Sequence, residues 1–391
     1  LSPYMERAAR LARSGRDPIV LAQAMVDLAP PARFTRALEE ALASGEREVH
    51  RYAPDPGLPE LRGALSGYLE RSFGFSADPA TELIVTPGAN HAAYLALSTI
   101  LDPGDEALLI SPWYFNHLMT LQLAGAEVRH VTAVAADGFR PRLTDLDRLL
   151  SRRTRALVLV NPNNPSGARY PDAWIDALAD LLTSDSRWAR VWLLCDQTYQ
   201  EIFFSGGHPR SLGAQARLRE RVITVGSFSK CFAIAGWRVG FLAAPERLVS
   251  EALKIQDSSV ICAPRAAQWA VTRALQEGRE LERYFAELRA TLRNRRDALS
   301  GDLADAPGLE LVLPGGSCFA MLGLPEGTDG EAFADALLDE YAVATVPGRC
   351  FGPEWRNSVR LSFGTETEER LAEAGARIRK LAARRPPRRK R

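Results

Sequence analysis

Lysine is scarce in this chain. Only four of its 49 basic residues are lysines, at positions 230, 254, 380 and 390, and the others are arginines. Arginine thus supplies positive charge almost everywhere. A primary amine can form a Schiff base with a carbonyl compound, whereas a guanidinium stays protonated at working pH and cannot. A lysine in a distinctive sequence setting is therefore a candidate for covalent chemistry.

Other patterns are missing as well. No run of 18 apolar residues occurs, so we predict no membrane-spanning helix. The five cysteines are widely spaced and never form a CxxC pair, which argues against a disulfide framework and against a metal site. The phosphate-binding patterns GxGxxG after a strand and GxxxxGKS or GxxxxGKT are absent, which disfavours nucleotide binding.

The two ends of the chain carry signals of their own. Residues 1–7 lack the charged and then apolar layout of a signal peptide, so we expect a cytoplasmic protein. Residues 384–391 hold six positive charges, which could bind nucleic acid. Because no aromatic residue is interleaved with them and two prolines oppose a helix, we predict a basic, disordered tail instead.

Length and hydrophobic pattern predict an α/β fold in two domains. A chain of 391 residues is too long for one compact core. Between residues 81 and 243, runs of Val, Ile and Leu alternate with helical patterns, which indicates βα units and a mostly parallel sheet. Its seven predicted strands are 83–86, 107–111, 128–132, 156–160, 191–196, 222–227 and 240–243.

The rest of the chain predicts a long helix and a smaller α+β domain. The helix covers 266–299, with a break near Gly278. Strands at 310–313, 318–322 and 358–363 and helices at 331–341 and 366–383 follow it. Ligands of open α/β sheets bind outside the carboxyl ends of the strands, where several polar residues of this chain cluster.

The segment Ser227-Phe-Ser-Lys230-Cys-Phe-Ala-Ile-Ala-Gly-Trp-Arg238-Val-Gly240 places one lysine between hydroxyl donors and an arginine. These groups suit an aldehyde that carries a phosphate. The segment resembles the cofactor-lysine signature of the class I/II aminotransferases, fold-type-I enzymes that use pyridoxal 5'-phosphate. The resemblance implies that Lys230 holds the cofactor and that Ser227, Ser229 and Arg238 surround its phosphate. A solvated lysine at the start of an ordinary helix is the alternative.

A carboxylate ends a buried-type strand in Val191-Trp-Leu-Leu-Cys-Asp196-Gln-Thr-Tyr199. A carboxylate that faces the pyridine nitrogen keeps it protonated, so that the ring can accept electrons. The Asp-x-x-Tyr unit resembles the family motif, which assigns Asp196 to that nitrogen and Tyr199 to the phenolic oxygen of the cofactor. An N-cap or turn aspartate is the alternative.

The loop Asn161-Pro-Asn-Asn164-Pro-Ser-Gly167 follows the 156–160 strand. It resembles the Asn-Pro-x-Asn-Pro-Ser/Thr-Gly loop of the family, in which Asn164 would donate to the same phenolic oxygen. Two Asn-Pro pairs can also form a plain turn.

A second loop, Thr86-Pro-Gly88-Ala89-Asn90-His91, joins the first strand to an Ala-rich helix. Backbone N–H groups at a helix N-terminus favour an anion. Gly88, Ala89 and Asn90 are therefore the remaining candidates for the phosphate cradle, although glycine turns before helices are common.

Aromatic and histidine side chains follow the second strand in Ser111-Pro-Trp113-Tyr114-Phe115-Asn116-His117. This loop resembles the one that stacks an aromatic ring on the cofactor. The resemblance implies that Tyr114 stacks and that His117 lies behind Asp196, although a lone histidine on a helix is more often structural.

Two further stretches match the family. The first runs from Arg47 to Arg62 and resembles the Tyr-x-Pro-x-x-Gly stretch whose tyrosine reaches the phosphate of a neighbouring subunit, which implies a homodimer with shared sites and Tyr52 acting in trans. The second, Asn357-Ser-Val-Arg360-Leu-Ser-Phe363, resembles the strand whose arginine binds the substrate α-carboxylate, although such an arginine is usually just exposed.

The sequence departs from the family at two places that bear on the substrate. Ala24 stands where the family has a glycine that lines the substrate pocket, and Asn90 stands where an aspartate-specific branch has a lysine. Arg265 could replace that lysine. An aromatic or apolar mouth is suggested instead by a set of four residues: Trp113, Tyr114, Phe115 and Met25. We therefore expect methionine, aromatic amino acids or glutamine to react faster than aspartate.

The matches together predict a fold-type-I aminotransferase that moves an amino group from an L-amino acid to a 2-oxoacid in a ping-pong reaction. They imply a large domain of residues 39–285 and a small domain built from residues 1–38 and 286–383. The same cofactor site also serves C–S lyases, cyclases, synthases and oxidases, which stay open as alternatives. A regulator that only binds the cofactor is a third possibility.

Overall fold

The computed structural model describes residues 2–276 and 278–384. In this part of the chain the strands are β1 (Ile19–Val20), β2 (Leu83–Thr86), β3 (Glu106–Ser111), β4 (Glu127–Thr132), β5 (Thr154–Val160), β6 (Trp192–Asp196), β7 (Val222–Ser227), β8 (Gly240–Ala243), β9 (Glu310–Leu311), β10 (Phe319–Gly323), β11 (Val343–Ala344), β12 (Val346–Pro347) and β13 (Ser358–Ser362).

The α-helices of the described residues are α1 (Ser2–Arg13), α2 (Ala32–Ala43), α3 (Pro59–Phe73), α4 (Ala89–Ile100), α5 (Phe115–Leu123), α6 (Leu143–Leu149), α7 (Asp172–Ser184), α8 (Phe228–Cys231), α9 (Glu246–Ser259), α10 (Arg265–Leu275), α11 (Gly278–Gly301), α12 (Gly330–Tyr341) and α13 (Glu368–Ala382). None of them is both long enough and apolar enough to span a membrane.

The large sheet has the strand order β2-β8-β7-β6-β5-β3-β4. Strand β8 is antiparallel to both of its neighbours, and the other pairs are parallel. The predicted seven-stranded, mostly parallel sheet is therefore confirmed. Its central strands are buried along almost their whole length, as expected when helices cover both faces of a parallel sheet. The carboxyl ends of β2, β3, β5, β6 and β7 meet at one edge.

The C-terminal part of the chain forms the sheet β12-β13-β10-β9. The N-terminal segment joins this part, because β1 pairs in parallel with β11. The predicted helix break is present, since α10 ends at Leu275 and α11 begins at Gly278. The predicted strand 310–313 is shorter than expected, and the two-residue strands β1, β11 and β12 had no periodic signal. The proposed domain boundaries remain predictions.

The last described residue, Arg384, still contacts the folded part of the chain. Its guanidinium donates to Oε2 of Glu340 at 3.0 Å and lies over the ring of Tyr341. Arg384 is the first residue of the predicted tail, and the remaining residues of that prediction, 385–391, lie outside the described residues.

Candidate active site

A cavity lies at the edge where the strand ends meet. Thirteen described residues line it: Ala89, Asn90, Tyr114, Val160, Asn164, Asp196, Thr198, Tyr199, Ser227, Ser229, Lys230, Ala235 and Arg238. Ten of these are site residues predicted from the sequence. Val160, Thr198 and Ala235 are the additions, and each lies inside or beside a motif that named its neighbours.

Asp196 is a buried carboxylate at the end of β6. Nε2 of His117 lies 2.9 Å from Oδ2 of Asp196, and the backbone N–H of Thr198 donates to Oδ1 at 3.0 Å. Burial acts to raise the pKa of Asp196. The hydrogen bonds from His117 and Thr198 and the charge of His117 outweigh this effect, so the pKa is lowered. Asp196 is therefore charged at neutral pH, and His117 lies behind it as the sequence predicts.

Lys230 lies on the short helix α8, and its Nζ donates to the backbone carbonyl of Ala24. Burial lowers the pKa of Lys230, and the charges of Arg238 and Arg360 lower it further. A lowered pKa increases the fraction of neutral amine, which is the nucleophilic form. Ala24, predicted to line the substrate pocket, thus reaches the site through its carbonyl group.

Hydroxyl groups and an arginine surround one end of the cavity. Ser227 Oγ donates to Ser229 Oγ at 2.8 Å, and Arg238 Nη1 donates to the same Ser229 oxygen at 3.4 Å. Arg238 Nη2 donates to the carbonyl of Pro87 at 2.9 Å. Gly88 has a φ of +89°, and a Cβ at this position would lie 2.5 Å from Nη2 of Arg238. A side chain at position 88 would therefore displace the guanidinium.

The first turn of α4 faces the same end of the cavity. Ala89 and Asn90 begin this helix, where backbone N–H groups have no partner within the helix. These N–H groups, two hydroxyls and one guanidinium form a donor set suited to a phosphate. The structure thus brings together all six residues proposed for the cradle.

Arg360 is fully buried on β13. Its Nη1 donates to Oδ1 of Asn164 at 3.1 Å, and its Nη2 donates to the carbonyl of Ala22 at 2.9 Å. The guanidinium carbon lies 4.5 Å from the ring centre of Phe319 and 5.1 Å from that of Phe351. Nε of Arg360 is buried without a hydrogen-bond partner among the described residues. The guanidinium of Arg360 is therefore held in one orientation while its Nε–H remains available to donate a hydrogen bond.

Tyr114 is held at both its hydroxyl and its ring. The hydroxyl donates to Oδ1 of Asn90 at 3.3 Å and accepts from Nδ2 of Asn116 at 2.8 Å. The ring meets His117 edge-on, with 5.2 Å between the ring centres. Because both hydrogen-bonding capacities of the hydroxyl are in use, the free part of Tyr114 is the aromatic ring.

Tyr199 is buried in the cavity wall, and its ring meets Phe319 edge-on with 5.6 Å between the centres. Burial raises the pKa of Tyr199, so its hydroxyl keeps its proton at neutral pH. Asn164 accepts a hydrogen bond from Arg360 at Oδ1, which leaves its Nδ2 to donate. Two neutral donors are therefore available on this side of the cavity.

The lining does not include Gly88, Ala24 or Arg360, although Gly88 adjoins Ala89, Ala24 accepts from Lys230 and Arg360 donates to Asn164. Other predicted site residues do not reach this cavity. Tyr52 is 75% exposed. Arg265 donates to the carbonyl of Tyr52 at 2.7 Å and lies 3.3 Å from Oε2 of Glu48. Of the four residues expected to shape the mouth, only Tyr114 lines the cavity. Trp113 and Phe115 instead pack on His130 and Phe351.

Comparison with known proteins identifies the family. The model of aminotransferase class I and II matches residues 16–378. This chain belongs to that family. The chain is 35% identical to the aspartate/prephenate aminotransferase of Thermus thermophilus over 97% of this chain and 94% of that protein. It is 30% identical to the aromatic-amino-acid aminotransferase 2 of Thermococcus litoralis over 91% of this chain and 89% of that protein.

A solved structure supports the same assignment for this aminotransferase. A double mutant of Thermus thermophilus aspartate aminotransferase has a TM-score of 0.89 and 33% identity, covering 97% of this chain and 95% of that chain. The predicted fold type I is therefore confirmed. The chain is a transaminase that depends on pyridoxal phosphate.

The residues present fit this cofactor. The buried carboxylate of Asp196, already hydrogen-bonded by His117 and Thr198, is a complementary partner for a protonated pyridine nitrogen. Any side chain at position 88 would obstruct the donor set for the phosphate. Lys230 could supply the amine and Tyr114 an aromatic face. Each chemical part of pyridoxal phosphate therefore has a complementary group in the cavity.

Proposed function

We propose that the residues described above divide the work of transamination, with Lys230 as the catalytic amine. The observation that carries this proposal is the position of Lys230: it lines one cavity together with the buried, charged Asp196 and the hydroxyl and arginine donors of the cradle. Lys254 is exposed and paired with Glu251, so it offers no comparable setting.

The cofactor would be held at three points. Ser227, Ser229 and Arg238, together with the first turn of α4, would hold its phosphate. Asp196 would hold its ring nitrogen, and the hydrogen bond from His117 would keep this carboxylate in place. When bound, pyridoxal phosphate supplies an aldehyde for amino groups and a ring that withdraws electrons from the substrate Cα.

Three further side chains, those of Tyr199, Asn164 and Tyr114, would contact the cofactor. Tyr199 and Asn164 would donate to the phenolic oxygen of the cofactor, and Tyr114 would cover one face of its ring. Because both donors are buried and fixed, they cost little reorganisation during the reaction.

Arg360 would bind the α-carboxylate of either substrate. Its planar fork matches a carboxylate, and Phe319 and Phe351 fix its orientation. With the carboxylate held there, the substrate Cα would face Lys230. Lys230 would take the proton from Cα and later return one, so that an amino acid and a 2-oxoacid use the same site in turn.

We infer a preference for neutral substrates, among them aromatic and sulfur-containing amino acids. Asn90 lines the cavity and is uncharged. Arg265 is paired with Glu48, so its charge is already partly compensated. The second carboxylate of aspartate would then lack a desolvated cation. One relative is named for aromatic amino acids and several others are named for aspartate, so this inference rests on the residues of the cavity alone.

We infer that the enzyme is a homodimer. Tyr52 and Val260 are exposed, and together with the mostly buried Arg265 they line a surface depression outside the cavity of their own chain. A large exposed aromatic residue at such a depression is typical of an interface. Tyr52 would reach the cradle of the neighbouring subunit.

Mixing the purified protein with single amino acids tests the proposed function. A reactive amino acid should shift the cofactor absorption from the aldehyde form to the amine form, and a 2-oxoacid should reverse the shift. Pyruvate release without any 2-oxoacid would instead indicate a C–S lyase. An unchanged spectrum with every neutral amino acid would contradict the proposed substrate class.

A further inference from the structure

A short N-terminal segment, residues 21–27, is fixed to the end of β13 at both of its ends. The backbone N–H of Ser362 donates to the carbonyl of Leu21 at 2.9 Å. The N–H of Asp27 donates to the carbonyl of Gly364, also at 2.9 Å. The segment therefore spans the region beside Arg360 from one anchored end to the other.

The carbonyl groups in the middle of this segment contact two cations of the active site. The carbonyl of Ala22 accepts from Nη2 of Arg360, and that of Ala24 accepts from Nζ of Lys230. Any displacement of the segment would therefore change the orientation of Arg360, since Ala22 holds one end of the guanidinium.

Arg295 contacts one anchored end of the segment. It lies on α11, is only 9% exposed, and donates through Nη1 to the carbonyl of Gly364 at 2.7 Å and through Nη2 to that of Asp27 at 3.4 Å. Burial lowers the pKa of Arg295, and the charges of Asp27, Glu368 and Glu366 oppose that effect. Burying a guanidinium costs free energy unless its N–H groups donate hydrogen bonds. The guanidinium of Arg295 donates both to Asp27, at one end of the segment, and to Gly364, which anchors that end.

Gly364 contributes to the same arrangement by lacking a side chain. A Cβ at position 364 would lie 2.0 Å from the carbonyl oxygen of Met25, inside the segment. The segment thus packs on the backbone of Gly364 while Arg295 holds it there.

We propose that Arg295 is a positioning residue for the substrate carboxylate. It fixes residues 21–27, the segment fixes the guanidinium of Arg360 through Ala22, and Arg360 then meets the carboxylate in a set orientation. Arg295 itself does not line the cavity. This proposal rests on the proposed role of Arg360, and the experiment below separates the two.

The test compares Arg295→Met and Arg295→Lys with Arg296→Met as matched control. Arg296 is the next residue of the same helix, its side chain is 12% exposed, and it donates to the carbonyl of Pro314, outside the segment. In Arg295→Met we expect KM to rise by about tenfold for both the amino acid and the 2-oxoacid, because both present the same carboxylate. The kcat should change much less. Arg295→Lys should recover part of the loss, since the charge remains but the fork is gone.

Two readouts do not depend on turnover. The affinity of the cofactor-loaded protein for 3-phenylpropanoate, a carboxylate without an amino group, should fall by a similar factor in calorimetry. Amide hydrogen exchange in residues 21–27 should be faster in Arg295→Met and unchanged in Arg296→Met. Equal carboxylate affinity and equal exchange in these two variants would overturn the proposal.

Two more variants separate the possible failures. If Arg360→Gln binds 3-phenylpropanoate as tightly as the wild type, the role of Arg360 is wrong and the proposal fails with it. If Arg360→Gln weakens binding and Arg295→Met does not, only the role of Arg295 is wrong. Should Arg295→Met not fold, Arg295→Lys decides: carboxylate binding weaker than in the wild type with unchanged cofactor absorption supports the proposal, and unchanged binding overturns it.

Discussion

His117 and Asp196 are 79 residues apart in the chain, and Nε2 of His117 lies 2.9 Å from Oδ2 of Asp196 in a buried pair. The pair joins α5, which follows β3, to the end of β6. Its hydrogen bond contributes more than those of Thr198 to lowering the pKa of this buried carboxylate, which burial alone would raise. The electrostatics of the cofactor site therefore depend on a residue that does not line the cavity.

Replacing His117 should move the acid limit of the enzyme to higher pH. The lowered pKa of Asp196 contributes stability that is present above its ordinary pKa, 3.8, and is lost as the pH falls through the lowered value. In His117→Leu the effect of burial remains without the donor, so the pKa of Asp196 should rise. As the pH is lowered, the melting temperature and kcat/KM of His117→Leu should therefore begin to fall at a higher pH than those of the wild type. His117→Gln is the control, because its side chain retains a hydrogen-bond donor. Superimposable pH profiles would contradict this account.

Asp196→Asn should keep the fold and lose turnover. The amide is nearly the same size as the carboxylate but cannot keep the ring nitrogen protonated by charge. We expect kcat to fall by about 100-fold or more, the range seen when a preorganised electrostatic group is removed. Circular dichroism and single-turnover kinetics measure the two effects. Near-normal turnover would show that the ring nitrogen has another partner.

Lys230→Ala should bind the cofactor without a covalent bond. After borohydride reduction, mass spectrometry should find reduced cofactor attached to the wild type and to Lys254→Ala, and none attached to Lys230→Ala. Lys254 is a suitable control because it is exposed and paired with Glu251. Reduced cofactor on any other lysine of the wild type would refute the assignment of Lys230.

Subunit mixing tests whether Tyr52 acts in trans. Lys230→Ala and Tyr52→Ala chains should each be poorly active alone. In a mixed dimer, one site would combine Lys230 of one chain with Tyr52 of the other, and activity should return to roughly a quarter of the wild type when equal amounts are mixed at random. No recovery, although mixed dimers form, would place Tyr52 in its own chain or outside the site.

Aspartate should convert the cofactor more slowly than methionine, phenylalanine or glutamine. A second carboxylate without a desolvated cation loses a charge-assisted hydrogen bond, which corresponds to about a tenfold to hundredfold difference in rate. Stopped-flow absorbance with single amino acids measures it. If aspartate is fastest and Arg265→Ala removes its advantage, Arg265 is a substrate cation and the proposed pocket is incorrect.

The sequence predicted the large sheet and most of the cavity. Most strands of the sheet are apolar runs, and residues that bear chemistry lie at or directly after strand ends, as Asp196 ends β6 and Asn161 follows β5. In parallel strands the carboxyl ends lie at one edge, so a local pattern is enough to place these residues together. Short strands such as β1 and β11 escaped prediction because two residues carry no periodic signal.

Only the tertiary structure determined how the cations of the site are held. Lys230 and Arg360 contact the carbonyl groups of Ala24 and Ala22, and Arg295 contacts those of Asp27 and Gly364. Every residue has a carbonyl group, so no side chain in the sequence marks these partners. Their selection depends on the path of the backbone through space, which packing between distant parts of the chain decides.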